Sequence, residues 1–189
     1  MHTAGKHAGA PVAGGERPAP GGPVLDLAAY VPALITFVSN KLSRGASALY
    51  RRHFGVGIIE WRVLALLAVE PAIPAARICQ VIGLDKGPVS RSLALLERRG
   101  LVGVRADGAD TRRRLVTLTP AGQALHDRII TVALERERRL LACLTAEQRV
   151  TLVQVLNLLH DNLGAVNRPF AIPPETPAAA DRAEDRGGR

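Results

Sequence analysis

Cysteine, aromatic side chains and long apolar runs are all scarce in this chain of 189 residues. Cys79 and Cys143 lie in apolar, helix-like stretches without the spacing of metal ligands, so we predict two buried, reduced thiols. The apolar runs are too short for a membrane span, and the N-terminus has no apolar signal core. We therefore expect a cytoplasmic protein with no membrane partner.

Sequence signatures of catalysis are missing as well. The chain has no phosphate-binding glycine loop of the P-loop type, no HExxH and no GxSxG. Its histidines, such as His53, His126 and His160, are scattered rather than clustered as metal ligands. We predict that the protein is not an enzyme and that it holds neither a metal nor a cofactor.

Glycine, proline and alanine dominate both ends of the sequence. Residues 1–24 and 168–189 lack the apolar periodicity that would offset the entropy lost on ordering, so both are predicted to be disordered tails. Between them, residues 25–167 form one predicted domain.

Positive charge is concentrated in one segment. The chain has 25 Lys and Arg against 17 Asp and Glu, a net charge of +8. Residues 85–114 contain eight basic and four acidic side chains, and the difference between these numbers is half of the chain's net positive charge. Charge alone fits nucleic acid, an anionic membrane or solubility, but its position around a helix-turn-helix pattern favours nucleic acid.

The spacing of apolar residues and helix caps predicts a mainly α fold. Asp26 is the expected cap of a first helix ending near residue 53, and Asp85 is the expected cap of a helix ending at Gly100. Thr119 and Thr145 are predicted to cap two further helices, the first reaching about residue 144. The remaining predicted elements are helices at 59–69 and 74–82 and strands at 101–105 and 114–118.

These elements predict a winged helix-turn-helix with a two-stranded wing and a helical dimerisation region. Residues 58–119 are the predicted DNA-binding part, and residues 25–54 and 120–164 the predicted dimerisation helices. The outer helices have more apolar surface than one small domain needs, so we expect a homodimer. Two-fold symmetry would place two recognition helices roughly 34 Å apart, one turn of DNA.

Several short segments, taken in order, resemble the MarR family of winged-helix transcriptional regulators over residues 25–163. They are 60–64 (EWRVL), 89–93 (VSRSL), 96–102 (LERRGLV), 110–114 (DTRRR) and 118–122 (LTPAG). The resemblance implies an obligate dimer that binds a palindromic double-stranded DNA operator. It further implies a repressor released by a small, often aromatic and anionic ligand, as in the control of aromatic acid catabolism.

Within this resemblance, the basic and small residues of the recognition helix and the wing are the predicted DNA contacts. Arg91 is expected to pair with guanine, and Ser90 and Lys86 to reach phosphate or a base edge. Arg112 resembles the wing-tip arginine of the family, which enters the minor groove. Val89, Leu93 and Leu96 are expected to pack inward. The full predicted DNA-binding set is Lys86, Gly87, Ser90, Arg91, Ala94, Arg98, Arg112, Arg113 and Arg114.

The few aromatic residues near the junction of the first helix and the winged part indicate a ligand slot. Apolar walls with polar and cationic ends suit an aromatic carboxylate. The predicted ligand-binding residues are Asn40, Ser47, Tyr50, Arg51, His53 and Trp61. Two alternatives stay open: a sequence-tolerant architectural DNA-binding protein without an effector, and a redox-responsive regulator that uses Cys79 or Cys143.

Overall fold

The computed structural model describes residues 16–17, 24–108 and 114–172. These fall in two compact units, Met1–Glu137 and Arg138–Arg189, each of which is described by itself. Arg112, Arg113 and most of both predicted tails lie outside the described residues. No helix among the described residues combines the length and apolar character needed to cross a membrane.

The first unit is mainly helical and includes two small sheets. Its helices are α1 (Val31–Phe54), α2 (Ile58–Val69), α3 (Ala75–Ile82), α4 (Lys86–Arg98) and α5, which runs from Pro120 to Leu140 across the boundary of the units. Its strands are β1 (Glu16–Arg17), β2 (Val24–Leu25), β3 (Ile73–Pro74), β4 (Val102–Ala106) and β5 (Arg114–Leu118). The second unit contains a 3₁₀ turn at Leu141–Cys143 and helix α6 (Ala146–Val166).

The predicted two-stranded wing is present, and a third strand extends its sheet. The strand order is β3-β5-β4, with Val102 opposite Leu118 and Ala106 opposite Arg114. Strand β3 has only two residues and pairs Ile73 with Val116. This strand was not predicted, because a two-residue strand is too short to show alternation.

The core of the first unit lies under α2, α3 and α4. Leu64, Leu67, Ile78, Leu96 and Ile129 are completely or almost completely buried there. Each such side chain contributes on the order of 1.5–3 kcal/mol by leaving water. This core holds α2, α3 and α4 in place relative to one another.

Helix α1 starts later than predicted. Asp26 does not cap it; the Asp26 Oδ1 accepts a hydrogen bond from the Ala28 backbone at 3.0 Å, inside a separate turn. Pro32 lies in the first turn of α1, where its missing N–H is tolerated, and this fixes the start at Val31. Similarly, Asp85 occupies the N-cap position of α4 without a capping hydrogen bond from its side chain.

The predictions for the end of α5, for Cys143 and for the N-terminal segment also need correction. Helix α5 ends at Leu140 instead of about residue 144, and the 3₁₀ turn that follows leaves Cys143 exposed rather than buried. Glu16–Arg17 pair with Val24–Leu25 in an antiparallel ribbon, inside a segment predicted to be a disordered tail as far as residue 24.

A capping box explains where α6 begins: the Thr145 hydroxyl accepts from the Gln148 backbone N–H at 3.2 Å, and the Gln148 side chain accepts from the Thr145 backbone N–H at 2.9 Å.

Candidate nucleic-acid interface

Helix α4 has one buried face and one exposed face, as the sequence predicts. Val89 and Leu96 are buried in the core, and Leu93 is half-buried. The small, polar and basic residues assigned to DNA are all exposed on the other side: Lys86, Gly87, Ser90, Arg91, Ala94 and Arg98. The helix therefore presents two small residues and several hydrogen-bond donors to solvent, a surface that a DNA major groove accommodates.

Helices α3 and α4 enclose a shallow groove beside this exposed face. Its volume is about 550 Å³, and Lys86, Ser90 and Ala94 line it from α4 while Ala75 and Cys79 line it from α3. Cys79 is half-buried rather than fully buried, and both cysteines are free thiols. The groove belongs to the same surface as the predicted base contacts.

The wing contributes a second basic surface. Arg114 begins strand β5 opposite Ala106 and is exposed, as is Arg105 in β4. Arg112 and Arg113, the other two predicted contacts there, lie outside the described residues.

Of the aromatic residues predicted to line a ligand slot, Tyr50 is buried in the core and Trp61 is half-buried against it. Tyr50 is 2% exposed, and its ring lies 6.0 Å from that of Trp61 and 6.3 Å from that of Phe54. Burial raises the pKa of the Tyr50 phenol, and its hydrogen bond to Arg136 partly offsets that rise. Tyr50 and Trp61 are thus brought together, but as packed neighbours.

The imidazole of His126 completes this cluster and was not predicted from the sequence. It stacks on Trp61 with 5.5 Å between ring centroids and contacts the Asp127 carboxylate at 2.9 Å through Nδ1. That contact, together with a hydrogen bond from Gln123, holds the pKa of Asp127 below its ordinary value. Helix α5 is thereby held against α2.

The other predicted ligand residues lie at different distances from Tyr50 along α1. Asn40, Arg51 and His53 are exposed and Ser47 is half-buried. Ser47, Arg51 and His53 are within three residues of Tyr50 in the sequence. Asn40 is ten residues before Tyr50 on the same helix, about 15 Å along its axis.

A cationic groove lies at the end of α1. His53, Phe54 and Arg128 line two adjoining depressions of about 390 and 350 Å³ between α1 and α5. The Arg128 guanidinium lies 5.5 Å from the centre of the Phe54 ring, within cation–π range. Leu101 and Leu125 add apolar surface, so the groove offers an apolar floor with positive charge at its rim.

Arg99 connects this groove to helix α4. It is the C-cap residue of α4, and its guanidinium donates to the Gly55 carbonyl at 2.7 Å and to the Phe54 carbonyl at 3.4 Å. Those carbonyls end α1, where a positive charge is favourable. The end of the recognition helix and the end of α1 are therefore held together by one side chain that also lines the groove.

Comparison with known proteins identifies the family. A model described as the MarR family matches residues 54–113, which run from the end of α1 into the wing. The transcriptional regulator HosA of Escherichia coli O157:H7 is 30% identical over 97 residues, which are 51% of this chain and 72% of that protein. The chain belongs to the MarR family of transcriptional regulators.

Solved MarR-family structures share the fold. A MarR/EmrR family transcriptional regulator from Acinetobacter sp. ADP1 is 29% identical with a TM-score of 0.70, over 75% of this chain and 99% of that one. A MarR variant from Escherichia coli complexed with operator DNA is 25% identical with a TM-score of 0.61, over 68% and 92% of the two chains. The predicted winged helix-turn-helix and the predicted class, a DNA-binding transcriptional regulator rather than an enzyme, are confirmed.

Within the segment that matches the MarR family, a polar contact beneath the recognition helix was not predicted from the sequence. Ser92 is 4% exposed, and its hydroxyl donates to Glu60 Oε1 at 2.6 Å. The available signal was a serine three residues after Val89 and four before Leu96, which places it on the inward face. Such a position calls for a partner, because a buried hydroxyl without one is unfavourable.

Proposed function

We propose that this MarR-family protein is a ligand-responsive repressor that binds a palindromic DNA operator as a homodimer. A small aromatic anion releases it from that DNA. The observation that carries the DNA part is the exposed face of α4, where Lys86, Ser90 and Arg91 stand on a helix whose opposite face is fixed in the core.

Sequence recognition is assigned to the middle of that face. Arg91 donates two parallel hydrogen bonds to guanine, while Gly87 and Ala94 leave room for the base edges to approach. Arg98, Arg113 and Arg114 neutralise phosphates and so fix the orientation of the protein on the duplex. Arg112 enters the minor groove from the wing.

Dimerisation is assigned to apolar surface that is exposed within each unit. In the first unit, the N-terminal half of α1 exposes large apolar side chains: Val31, Leu34, Ile35, Phe37, Val38 and Leu42. In the second unit, α6 exposes Leu152, Leu156, Leu159 and Leu163 at helical spacing. Contiguous apolar surface of this kind is typical of a protein interface, and a second copy supplies a matching surface by symmetry.

The effector is assigned to the cationic groove at the end of α1. An aromatic carboxylate fits there with its ring on Phe54 and its charge between Arg99 and Arg128. Of the residues predicted as ligand contacts, His53 lines this groove and Tyr50 packs behind Phe54. A carboxylate that draws Arg99 away from the end of α1 would loosen the contact between α1 and the recognition helix.

A binding experiment tests operator recognition. The affinity of the full chain for its own promoter is compared with its affinity for random duplex of equal length, at one salt concentration. We expect a ratio on the order of a thousand or more. A ratio near one would instead support the architectural, sequence-tolerant alternative.

The wing has a test of its own. Arg112→Ala is expected to weaken binding to all sequences and to reduce the slope of log affinity against log salt by about one. Arg52→Ala is the comparison, because Arg52 is an exposed arginine of α1 outside the predicted DNA-binding part, and it should keep the wild-type slope. Equal slopes for the wild type and Arg112→Ala would refute the assignment of Arg112 to DNA.

A ligand screen tests the effector. Small aromatic acids are added to the purified protein, and those that bind the folded state must raise its melting temperature. Arg128→Gln is expected to abolish this rise, while Arg52→Gln, an exposed arginine of α1, should keep it. If no acid raises the melting temperature, or if Arg128→Gln responds like the wild type, the groove is not the effector site.

A further inference from the structure

One carboxylate beneath the recognition helix makes two hydrogen bonds in two directions. Glu60 Oε1 accepts from the Ser92 hydroxyl of α4 at 2.6 Å, and Glu60 Oε2 accepts from the Gly57 backbone N–H at 2.8 Å. Gly57 is the N-cap residue of α2, so Glu60 ties the start of α2 to the inner face of α4.

On the side of α4, the residues that flank this contact are apolar. Val89 and Leu96, the neighbours of Ser92 on the inner face of α4, are buried among Leu64 and Ile78. Apolar contacts have no direction, and such a layer allows a helix to turn by some degrees about its axis. A short hydrogen bond to a carboxylate is directional and about twice as strong as one between neutral groups.

We infer that Glu60 is a positioning residue that fixes the rotation of the recognition helix through Ser92. Successive residues of an α-helix point about 100° apart, so anchoring Ser92 also sets the directions of Arg91 and Ser90. Base contacts require side chains placed to within a fraction of an ångström, whereas phosphate contacts tolerate more movement. The bond between Glu60 and Ser92 therefore determines sequence discrimination more than overall DNA affinity.

The residues around Glu60 fit this role. A Cβ atom at Gly57 would lie 2.7 Å from Glu60 Oε2 and 3.2 Å from Arg51 Nε, so only glycine leaves both groups in place. The Arg51 guanidinium beside the same glycine adds a positive charge next to the carboxylate. A glutamine at residue 60 could keep both contacts only as neutral hydrogen bonds, with its amide N–H donating to the Ser92 hydroxyl, so it weakens the link to α4 without removing it.

The inference rests on the proposed operator recognition, and variants of the full chain test it. The wild type first selects a duplex from a randomised pool, and the affinity for that duplex is divided by the affinity for random duplex. Ser92→Ala and Glu60→Gln remove or weaken the contact, and Ser92→Thr keeps the hydroxyl. Ser43→Ala is the matched control, since it removes another bond between helices, from Arg62 to the Ser43 hydroxyl at 3.0 Å, without touching α4.

We expect the affinity ratio to fall about tenfold in Ser92→Ala, the loss of roughly one good base contact. In Glu60→Gln the ratio should fall by a smaller factor, because the hydrogen bond loses its charge but not its partners. Ser92→Thr and Ser43→Ala should keep the wild-type ratio, and the salt dependence should stay the same in all variants. If Ser92→Ala lacks a cooperative melting transition, Glu60→Gln and Ser92→Thr decide the question. A wild-type ratio near one would refute operator recognition itself, whereas a high ratio that these variants leave unchanged would overturn the role of Glu60 alone.

Discussion

Among the described residues, Arg91, Arg99 and Arg77 lie in three different environments. Arg91 is exposed on the recognition helix, Arg99 donates to the carbonyls that end α1, and Arg77 holds the Glu70 carboxylate with two hydrogen bonds of 2.9 Å. The side chain is the same in each case, but its partner decides whether it stays available for DNA. A count of basic residues in the sequence therefore overstates the number of DNA contacts.

Replacing Arg91 tests the assignment of base recognition at the level of one residue. Arg91→Ala is expected to lower the ratio of operator to random-duplex affinity by about tenfold to a hundredfold, because it removes a bidentate guanine contact. Electrophoretic shift or fluorescence anisotropy at fixed salt measures this ratio. Arg52→Ala, an exposed arginine outside the winged part, serves as the control, and an equal loss in both variants would contradict the assignment.

The pair of Glu70 and Arg77 predicts a pH effect. Hydrogen bonds from Arg77 hold the pKa of Glu70 below its ordinary value of 4.5. A lowered folded-state pKa stabilises the fold above the unfolded pKa, and this contribution is lost as the pH falls through the folded value. In Arg77→Gln, NMR titration should show the pKa of Glu70 moving back up toward 4.5.

A control variant separates this effect from other contacts of the same arginine. Gln80→Ala removes the bond that Arg77 donates to Gln80 at 3.3 Å and leaves Glu70 paired, so the pKa of Glu70 should stay low. The difference in stability between wild type and Arg77→Gln should shrink below about pH 4. A difference that is constant across the acid range would argue against the pairing in solution.

At the level of elements, the start of α5 shows how closely helix and sheet approach. Gly122 lies in the first turn of α5, and a Cβ atom there would collide with the Leu101 carbonyl oxygen. Thr119 adds two hydrogen bonds at this place: its hydroxyl donates to Gly100 O at 2.6 Å and accepts from the Gly122 N–H at 3.0 Å. This close packing and these two hydrogen bonds hold the start of α5 against the residues that precede β4.

Gly122→Ala is expected to destabilise the protein by about 1–3 kcal/mol, because backbone atoms rather than a flexible side chain must move. Chemical denaturation followed by circular dichroism measures the change. Gly45→Ala is the matched control in α1, where the nearest heavy atom to an added Cβ is Arg136 Nη2 at 3.6 Å. It should be neutral or stabilising by up to about 1 kcal/mol, and equal destabilisation in both variants would contradict the prediction.

At the level of the whole molecule, a substitution among the exposed apolar side chains of α6 tests the proposed dimer. Leu156→Asp places a charge in the proposed interface of both copies and is expected to weaken dimerisation by about a hundredfold or more. Analytical ultracentrifugation over a range of concentrations measures the dissociation constant. Gln154→Asp makes a comparable charge change at a polar position of the same helix, and it should leave the dimer intact.

How far prediction from sequence succeeded depends on the range of the interactions. The recognition helix, the wing strands and the capping box of α6 depend on neighbours three or four residues apart and were predicted correctly. The ligand slot stays a prediction. Around it, the Tyr50 ring packs against Trp61, and Trp61 stacks on His126, a contact that could not be predicted because His126 is 65 residues away from Trp61 in the chain. Strand β3 was not predicted because its two residues show no alternation of their own and are recognised as a strand only by their pairing with β5.

The sequence by itself determined the family, the order of the helices and of the two wing strands, and the exposed basic face of α4, because helical periodicity and charge are local properties. Only the tertiary structure decided that Ser92 donates to Glu60, that Arg99 donates to the Gly55 carbonyl at the end of α1, and that Gly122 packs against Leu101. These contacts join residues between 21 and 44 positions apart. The physical reason is that such a contact depends on how two elements pack, and no periodicity within either element records its partner.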